Sequence, residues 1–293
     1  MTEKGYRVLK HIVQHLDWHL IDRVVRARDK NLAKDYYAEI GALCAETGII
    51  CVDRTAAVPP NSAGPAATVA GPLALAVSWR WLIDVPGQSL IVLHDSLLPR
   101  YRGFAPLVNS LINGEPEIGV TALYASAEFD RGPVLGQSRR AVAYPLTIAA
   151  AIEQVAECYL ELVSQLWQQV ATAALPAGTP QDETAATYSL WRDEEDYRLD
   201  WSLDAGRLRR TVDALGWPYQ GAVTTLDGQV LRIVRAVEVL DVVIENRTPG
   251  KVLFAAADGP VVVCGRGLLQ LLEVQNEAGD AVLPLARFRA RLR

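Results

Sequence analysis

The sequence contains 293 residues, of which 50% are apolar, and a chain of this length can bury a large core in one domain or two. Its 29 basic and 34 acidic residues give a net charge of −5, and no segment concentrates lysine or arginine. This balance argues against nucleic acid as a partner. No apolar run approaches the ~20 residues that span a bilayer, and no signal peptide precedes the first element, so we expect no membrane partner.

The cysteines and histidines predict neither a disulfide framework nor a metal centre. The cysteines lie in apolar surroundings without Cys-x-x-Cys spacing, as is typical of reduced core residues in a cytoplasmic protein; they are Cys44, Cys51, Cys158 and Cys264. His11, His15 and His19 repeat at helical spacing and could in principle form a metal-binding row. Because no cysteine or carboxylate accompanies them in a convincing pattern, we interpret them as a solvated helix face.

The first half of the chain alternates helical and strand patterns. It opens with a helix, from Gly5 to about Leu16, whereas a doubly wound domain normally begins with a buried strand. Further helices are predicted at 34–47 and 147–172, and strands at 19–25, 49–52, 73–77, 90–93 and 120–124. This alternation predicts an α/β fold with a mostly parallel sheet covered by helices. The sequence lacks a Gly-x-Gly-x-x-Gly fingerprint and a Walker loop, so neither a dinucleotide nor ATP is expected.

The stretch that organises the chain begins with the apolar run 90–93, which stops abruptly at His94. His94 is therefore expected at the carboxyl end of a strand, the edge of an open α/β sheet where ligands bind. A titratable imidazole at that edge is a candidate acid or base. The next strand, 120–124, leads into a loop that carries Asp130. The sequence thus predicts that His94 pairs with Asp130.

The second half begins with an acidic linker and ends in a small β domain. A helix is predicted from Ala205 to Leu215, and five short strands follow it, at 223–225, 230–239, 250–255, 260–264 and 268–274. The strands are separated by Asp-Gly, Pro-Gly and Gly-x-Gly turns, which predicts a small barrel of the OB type. Since it lacks a basic stripe, we expect this barrel to pack or to shape a pocket. The predicted domains are 1–178, a linker at 179–204, and 205–293.

Four motifs occur in one order and with matching spacing along the chain. They are His-x-Ser-Leu-Leu-Pro-Arg-Tyr-Arg-Gly at 94–103, Ile-Asn-Gly-Glu at 112–115, Gly-Val-Thr at 119–121 and Asp-x-Gly-Pro at 130–133. The set resembles the core of the N10-formyltetrahydrofolate-dependent formyltransferases, which include methionyl-tRNA formyltransferase and the nucleotide-sugar N-formyltransferases. Segments 217–222, 264–267 and 274–275 resemble the carboxyl-terminal domain of the same family. The resemblance implies a Rossmann-like catalytic domain, whose first strand is missing here, followed by an OB-like domain.

The resemblance also implies roles for particular residues. His94 would polarise the formyl oxygen or shuttle a proton, and Asp130 would orient the imidazole and accept charge from the incoming ammonium. N10-formyltetrahydrofolate would be the co-substrate, with its pocket lined by Arg80, Trp81, Leu82 and Ile83. Ordinary packing is the alternative for Trp81. The candidate substrate contacts are Arg100, Arg102, Asn113 and Tyr219.

One position departs from the family. Its members carry an asparagine two residues before the histidine, where the amide helps to bind the formyl group and to stabilise the oxyanion; this sequence has Val92 there. Valine cannot donate a hydrogen bond, and the loss of one oxyanion donor typically costs about 10²–10³ in rate. We hypothesise that a hydroxyl, a main-chain N–H or the substrate itself supplies the missing bond, with Ser78 and Ser96 as candidate hydroxyls.

The predicted function is that of an N-formyltransferase acting on a small amine, above all an amino-sugar nucleotide. The acidic chain and the compact second domain favour a small substrate over tRNA. Two alternatives stay open. One keeps the fold but changes the reaction to hydrolysis of formyl-folate or transfer of another acyl group, and the other is a non-enzymatic relative that binds folate or a protein. Because nucleotide-sugar members of the family are often dimers, we expect a homodimer.

Overall fold

The computed structural model describes residues 2–29, 34–55, 73–79, 81, 83, 89–172, 175 and 177–293. The chain forms two compact units that are interleaved along the sequence. The first unit comprises 1–103, 119–140 and 153–188, and the second comprises 104–118, 141–152 and 189–293. The predicted domains consist of contiguous segments, and their bounds stay a prediction.

The elements follow the predicted order. The described helices are α1 (Glu3–His15), α2 (Tyr37–Thr47), α3 (Pro106–Asn113), α4 (Ile148–Ala171) and α5 (Ala205–Leu215). The strands before α4 are β1 (Arg23–Arg26), β2 (Ile50–Asp53), β3 (Leu73–Val77), β4 (Ser89–His94), β5 (Arg102–Gly103), β6 (Glu117–Tyr124) and β7 (Val134–Ala141). Those after it are β8 (Tyr188–Ser189), β9 (Ala222–Leu226), β10 (Gln229–Val239), β11 (Val252–Ala256), β12 (Gly259–Val263) and β13 (Leu268–Asn276). None of the described helices is long and apolar enough to cross a membrane.

The first strand starts later than the pattern predicted. β1 begins at Arg23, whereas a strand was expected from His19. Asp17 accepts a hydrogen bond from His19 N at 3.2 Å and so caps a 3₁₀ turn over Trp18–Leu20. The local cap therefore wins over the extended conformation that the apolar residues of this segment favour.

The strands of the first unit form an α/β arrangement in which His94 lies at the carboxyl end of an inner strand. β1 and β2 run parallel. A further sheet has the order β3-β4-β6-β7, in which β3 and β4 are parallel and β4 and β6 antiparallel. Ile91 and Leu93 of the inner strand β4 are buried, and β4 ends at His94. The predicted α/β fold is confirmed, with antiparallel pairing added to a sheet expected to be mostly parallel.

Helices α1 and α4 pack against each other within the first unit. Arg7 donates to Glu153 at 2.5 Å and to Glu157 at 2.6 Å. Nε2 of His11 lies 2.8 Å from the hydroxyl of Ser164. The two helices therefore belong to one layer, and His11 has a partner in that layer. The described part of the chain contains no group of three or more His, Cys, Asp or Glu residues arranged to hold a metal ion.

The second unit is built on one antiparallel sheet of order β11-β12-β13-β10-β9. Its two edge strands both hydrogen bond to the end of the chain. Thr225 N donates to Arg293 O at 2.7 Å, and Val252 N donates to Ala290 O at 3.1 Å. The C-terminal segment thus covers the edges that a five-stranded sheet would leave open. The five predicted strands are confirmed, and this closing segment was not predicted.

A charge cluster attaches helix α5 to strand β10 in the second unit. The guanidinium of Arg209 donates to Asp213 at 2.5 Å and to Glu238 at 3.0 Å. Burial raises the pKa of Asp213 to about 6, because the attraction of Arg209 does not offset the loss of water around the carboxylate. Ionisation of Asp213 therefore lowers the stability of the folded protein relative to the unfolded chain.

We predict that Asp213 makes the free energy of unfolding fall as the pH rises from about 4 to about 6. The pKa of Asp213 is about 6 in the folded protein and ~3.9 in an unfolded chain, so folding favours the protonated form, and this advantage disappears once Asp213 ionises. The free energy of unfolding is to be measured with urea at about pH 4 and at about pH 7. Between these two pH values it should fall by about 1–3 kcal/mol more in the wild type than in Asp213→Asn. Equal pH dependence in the two proteins would contradict the prediction.

Candidate active site

His94 and Asp130 come together at the carboxyl end of β4. The His94 side chain is 8% exposed, and its Nδ1 lies 3.5 Å from Oδ2 of Asp130. On the other side of the ring, Nε2 lies 2.9 Å from the main-chain oxygen of Tyr101. The structure thus places side by side the two residues that the sequence paired, while their catalytic roles stay a prediction.

Both ring nitrogens of His94 face oxygen atoms that accept hydrogen bonds. The Tyr101 carbonyl can only accept, so Nε2 carries a proton and donates it. Nδ1 can then contact the Asp130 carboxylate favourably only when a further proton lies between them. The pair is therefore arranged to take up and release one proton at a fixed place, which is what general acid–base chemistry requires.

A tight loop presents the Tyr101 carbonyl to the imidazole. Tyr101 has a left-handed backbone with φ of 61°, a conformation that is costly for a bulky residue. Thr187 stabilises it, since its hydroxyl accepts from Tyr101 N at 2.9 Å and its carbonyl accepts from Arg102 N at 2.9 Å. The sequence placed Thr187 in a linker, so this contribution was missed.

The loop after β6 fixes Asp130. Its Oδ2 accepts a hydrogen bond from Gly103 N at 2.8 Å. Gly132 lets the loop pass close to the preceding strand, because a Cβ at this position would lie 1.7 Å from the Tyr124 carbonyl oxygen. Gln181 Nε2 donates to Asp130 O at 2.7 Å and to Gly132 O at 2.8 Å. Asp130 is thus held through its carboxylate by Gly103 and through its main chain by Gln181.

Arg102 has a fully buried guanidinium that connects these loops. It donates to Gln181 Oε1 at 2.8 and 3.1 Å, and to the two carboxylate oxygens of Glu183 at 2.9 Å each. The hydrogen bond from Arg102 lowers the pKa of Glu183. The sequence predicted a substrate contact at Arg102. In the structure its side chain is 0% exposed and its donors bind residues 79 and 81 positions away, so we assign it to holding the Asp130 loop.

Val92 lies on the same face of β4 as His94, because side chains two residues apart on a strand point the same way. It is half-buried, and its strand neighbours are Ala76 of β3 and Leu123 of β6. No hydrogen-bond donor can come from the Val92 side chain or from these apolar neighbours.

The two serines proposed to replace the missing donor already have partners. The Ser96 hydroxyl donates to Arg100 O at 2.8 Å. The Ser78 hydroxyl hydrogen bonds to Tyr159. A main-chain N–H or the substrate therefore remains as the hypothesised donor.

The segment expected to line a folate pocket is described in part. The described residues include Trp81 and Ile83 but not Arg80 and Leu82. Trp81 packs edge-to-face on Trp79, with ring centroids 5.0 Å apart, and Cζ of Arg54 lies 5.2 Å from the Trp81 ring. The indole N–H of Trp79 is buried and has no hydrogen-bond partner among the described residues. An acceptor on a ligand would satisfy this N–H.

The expected substrate contacts belong to different units. Arg100 is an exposed residue of the first unit, with Cζ 5.2 Å from the Tyr101 ring. Asn113 ends helix α3 and Tyr219 follows helix α5, both in the second unit. Both are exposed, Tyr219 at 40%. Their contact with a substrate stays a prediction.

Comparison with known proteins gives two family matches and several relatives. Residues 79–165 match the family described as Formyl transferase, and residues 192–289 match Formyl transferase, C-terminal domain. Methionyl-tRNA formyltransferase of Stenotrophomonas maltophilia is 35% identical over 72% of this chain and 67% of its own length. The same enzyme of Methylococcus capsulatus is 37% identical over 66% of this chain and 61% of its own length, so this chain spans only part of these relatives.

A solved structure supports the fold across both units. It is the N-formyltransferase from Helicobacter canadensis in complex with folinic acid and dTDP-3-aminofucose. It matches with a TM-score of 0.64 at 13% identity, over 92% of this chain and 96% of that chain. At this identity the likeness shows the fold alone.

We predict that Arg102→Met lowers the free energy of unfolding by about 2–4 kcal/mol, because the Gln181 amide oxygen and the Glu183 carboxylate lose their charged partner. Arg102→Lys should not restore it, since an ammonium cannot make the two parallel bonds to Glu183. Arg131→Met is the matched control, because Arg131 also pairs with Glu183, at 3.2 Å, but its side chain is 36% exposed. This change should lower the free energy of unfolding by less than about 1 kcal/mol. Equal losses in urea unfolding for Arg102→Met and Arg131→Met would refute this role of the buried guanidinium.

Proposed function

This chain belongs to the formyltransferase family, and on that premise we propose that it transfers a formyl group from N10-formyltetrahydrofolate to a primary amine. The observation that carries the proposal is the His94–Asp130 pair at the carboxyl end of β4, within the residues 79–165 that match the family. Family membership makes the protein a transferase with formyl-folate as its co-substrate.

The reaction requires proton transfer between two nitrogen atoms. The neutral amine nitrogen attacks the formyl carbon and a tetrahedral intermediate forms; the bond from that carbon to N10 of the folate then breaks. The amine loses one proton and N10 gains one. In our proposal His94 Nδ1 and Asp130 take the proton from the amine and return it to N10. The bond from Nε2 to Tyr101 keeps the ring oriented through both steps.

The tetrahedral intermediate also needs a donor for its negatively charged oxygen. Val92 supplies none, and the hydroxyls of Ser78 and Ser96 are engaged. We therefore assign the donor to a main-chain N–H near the end of β4. Such groups are fixed before the reaction and need not reorganise as the charge develops.

The folate is proposed to bind along the segment that follows β3. Trp79 offers a buried N–H without a partner among the described residues, and Trp81 offers an aromatic surface beside it. A pterin ring has acceptors and donors along its edge and two flat faces, so it suits such a surface. The Helicobacter canadensis relative binds folinic acid, which is a formylated folate. Arg80, Leu82 and Ile83 are proposed to complete this pocket.

The proposed acceptor is an amino-sugar nucleotide. The net charge of −5 and the absence of a basic segment favour a small substrate over a long polyanion. The Helicobacter canadensis relative, which matches along nearly its whole length, binds dTDP-3-aminofucose. Arg100, Asn113 and Tyr219 are proposed contacts for this substrate, and a homodimer is proposed as the assembly.

Methionyl-tRNA is the second candidate acceptor. One observation favours it: curated relatives at 35% and 37% identity are methionyl-tRNA formyltransferases. Both acceptors present a primary amine, so the same His94–Asp130 chemistry serves either. The two acceptors differ only in the groups beyond this amine, so residues that contact those groups decide which acceptor binds.

We predict that the purified protein releases tetrahydrofolate from N10-formyltetrahydrofolate only when an amine acceptor is present. The acceptors to be compared are amino-sugar nucleotides and methionyl-tRNA, with product mass as the readout. His94→Ala and Asp130→Asn should each lower kcat by about 10²–10⁴, because each removes one half of the proton-transfer pair. His15→Ala, which changes an exposed histidine of α1, should leave kcat unchanged.

The outcomes separate the candidates. A formylated sugar nucleotide would support the amino-sugar nucleotide as the acceptor. Formylated methionyl-tRNA would instead identify methionyl-tRNA as the acceptor. Free formate without a formylated amine would indicate hydrolysis instead. Turnover that survives both His94→Ala and Asp130→Asn would remove the pair from the mechanism.

We predict that Val92→Asn changes kcat by less than about 10-fold, because a main-chain N–H already supplies the oxyanion bond in our proposal. The asparagine would lie on the same face of β4 as His94 and could donate to the formyl oxygen. Single-turnover kinetics with N10-formyltetrahydrofolate measure the effect. A rise of about 10²–10³ would show instead that the wild type lacks this donor.

A further inference from the structure

Asp95 is a partly buried ionisable residue that the mechanism above does not use. It follows His94 directly, and its side chain is 19% exposed. Lys4 of α1 forms an ion pair with it, and the Tyr159 hydroxyl of α4 donates a hydrogen bond to it. We call these three residues the Asp95 cluster. Lys4 and Tyr159 lie 91 and 64 positions from Asp95 along the chain, so only folding brings them together.

The Asp95 carboxylate is ionised in the folded protein. Burial alone would raise the pKa of Asp95, but the Lys4 ammonium and the Tyr159 hydroxyl more than offset it, and the pKa lies below its ordinary value. Burial and the Asp95 charge together raise the pKa of Tyr159 well above its ordinary value, so the phenol keeps its proton and donates it. The cluster is therefore a fixed arrangement of donors around one anion.

The cluster holds the main chain on both sides of His94. The Tyr159 oxygen that binds Asp95 also lies 3.2 Å from the carbonyl oxygen of Leu93. Oxygen atoms of residues 93 and 95 thus face the single hydroxyl proton of Tyr159 on α4 and share it, and the ion pair with Lys4 links residue 95 to α1. Successive residues along an extended chain point to opposite faces, so the Asp95 side chain faces the α1–α4 layer while the His94 ring faces the loops at 101 and 130.

The turn after His94 leaves little other freedom. Ser96 N donates to His94 O at 2.8 Å, and the Thr121 hydroxyl donates to Ser96 O at 2.6 Å. A rotation of the main chain at residue 95 would therefore move the imidazole relative to the Tyr101 carbonyl and the Asp130 carboxylate. A displacement of about 1 Å at a reacting group can cost about 10² in rate.

We propose that Asp95 is a positioning residue for His94. Through Lys4 and Tyr159 it anchors the chain at residues 93–95 to helices α1 and α4, and thereby holds the imidazole between Tyr101 and Asp130. This inference rests on the proposed function for its catalytic consequence. It does not require Asp95 to touch the folate or the amine.

The kinetic test compares Asp95→Asn and Tyr159→Phe with the control Glu161→Gln. Glu161 lies on the same helix as Tyr159 and pairs with Ser138 and Arg140, away from the Asp95 cluster. We expect the two cluster variants to lower kcat by about 10²-fold while the KM for N10-formyltetrahydrofolate stays within about twofold. The control should keep both constants. If kcat stays unchanged in both cluster variants, the proposal fails.

A second variant separates positioning from folding. Asp95→Asn leaves the partly buried Lys4 ammonium without its anion, which can destabilise the folded protein. The double variant Lys4→Met/Asp95→Asn removes both charges, so thermal unfolding should return toward the wild type while kcat stays low. Recovery of kcat together with stability would show a merely structural role and overturn the proposal.

A spectroscopic readout tests the positioning without any turnover. In the wild type, the His94 Nε2 proton is bonded to the Tyr101 carbonyl, so it should give a downfield proton resonance that exchanges slowly with water. His94→Gln assigns this signal among the four histidines. We expect Asp95→Asn to lose it or speed its exchange at least about 10-fold, and Glu161→Gln to keep it. A wild type that transfers no formyl group would refute the proposed function, while an unchanged signal in Asp95→Asn would refute the positioning of His94.

Discussion

A positive charge buried away from water determines the geometry of the candidate site. The guanidinium of Arg102 is 0% exposed, and such a charge is tolerated only when partners satisfy it. Gln181 and Glu183 do so, and the same Gln181 amide binds the main chain at Asp130. The residue that compensates the buried charge therefore also holds the main chain of Asp130, whose carboxylate faces His94. For this reason the segment around 181–187 is part of the site, although its sequence reads as a linker.

His94 is constrained from both faces of its strand end. Loop residues fix its ring, through the Tyr101 carbonyl and the Asp130 carboxylate. Helix residues fix its main chain, through the Asp95 cluster. In the proposed reaction His94 moves a proton between two nitrogen atoms, and such a group gains from rigidity because its orientation is achieved before the reaction begins. Residues that are distant in sequence thus fix the position and orientation of the side chain at the end of β4.

Val92 gives the site no side-chain amide at the position where the resemblance of the sequence to the family leads us to expect an asparagine. Its apolar surroundings on β4 and the engaged hydroxyls of Ser78 and Ser96 narrow the source of the oxyanion bond to the main chain or the substrate. Family membership does not depend on this residue, since both family matches and the 35% identical relative extend far beyond it. The reaction class follows from the family, and the acceptor is a question of recognition by residues outside the reacting atoms.

The sequence by itself determined the features that depend on short-range pattern. The polarity change at His94 located the end of β4, and turn residues located the five strands of the second unit. It also paired His94 with Asp130, because each follows a strand. The start of β1 was missed, since the Asp17 side chain caps a turn where apolar residues favour a strand.

Only the tertiary structure decided which polar groups are buried and what compensates them. Arg102 reads as an exposed turn residue, yet its partners lie 79 and 81 positions away. Asp95 reads as a polar residue after a strand, yet Lys4 and Tyr159 make it a partly buried, paired anion. The C-terminal segment that closes the sheet of the second unit shows no strand pattern of its own. The reason is physical: periodicity and capping depend on neighbours in sequence, whereas the pairing of a buried charge depends on neighbours in space.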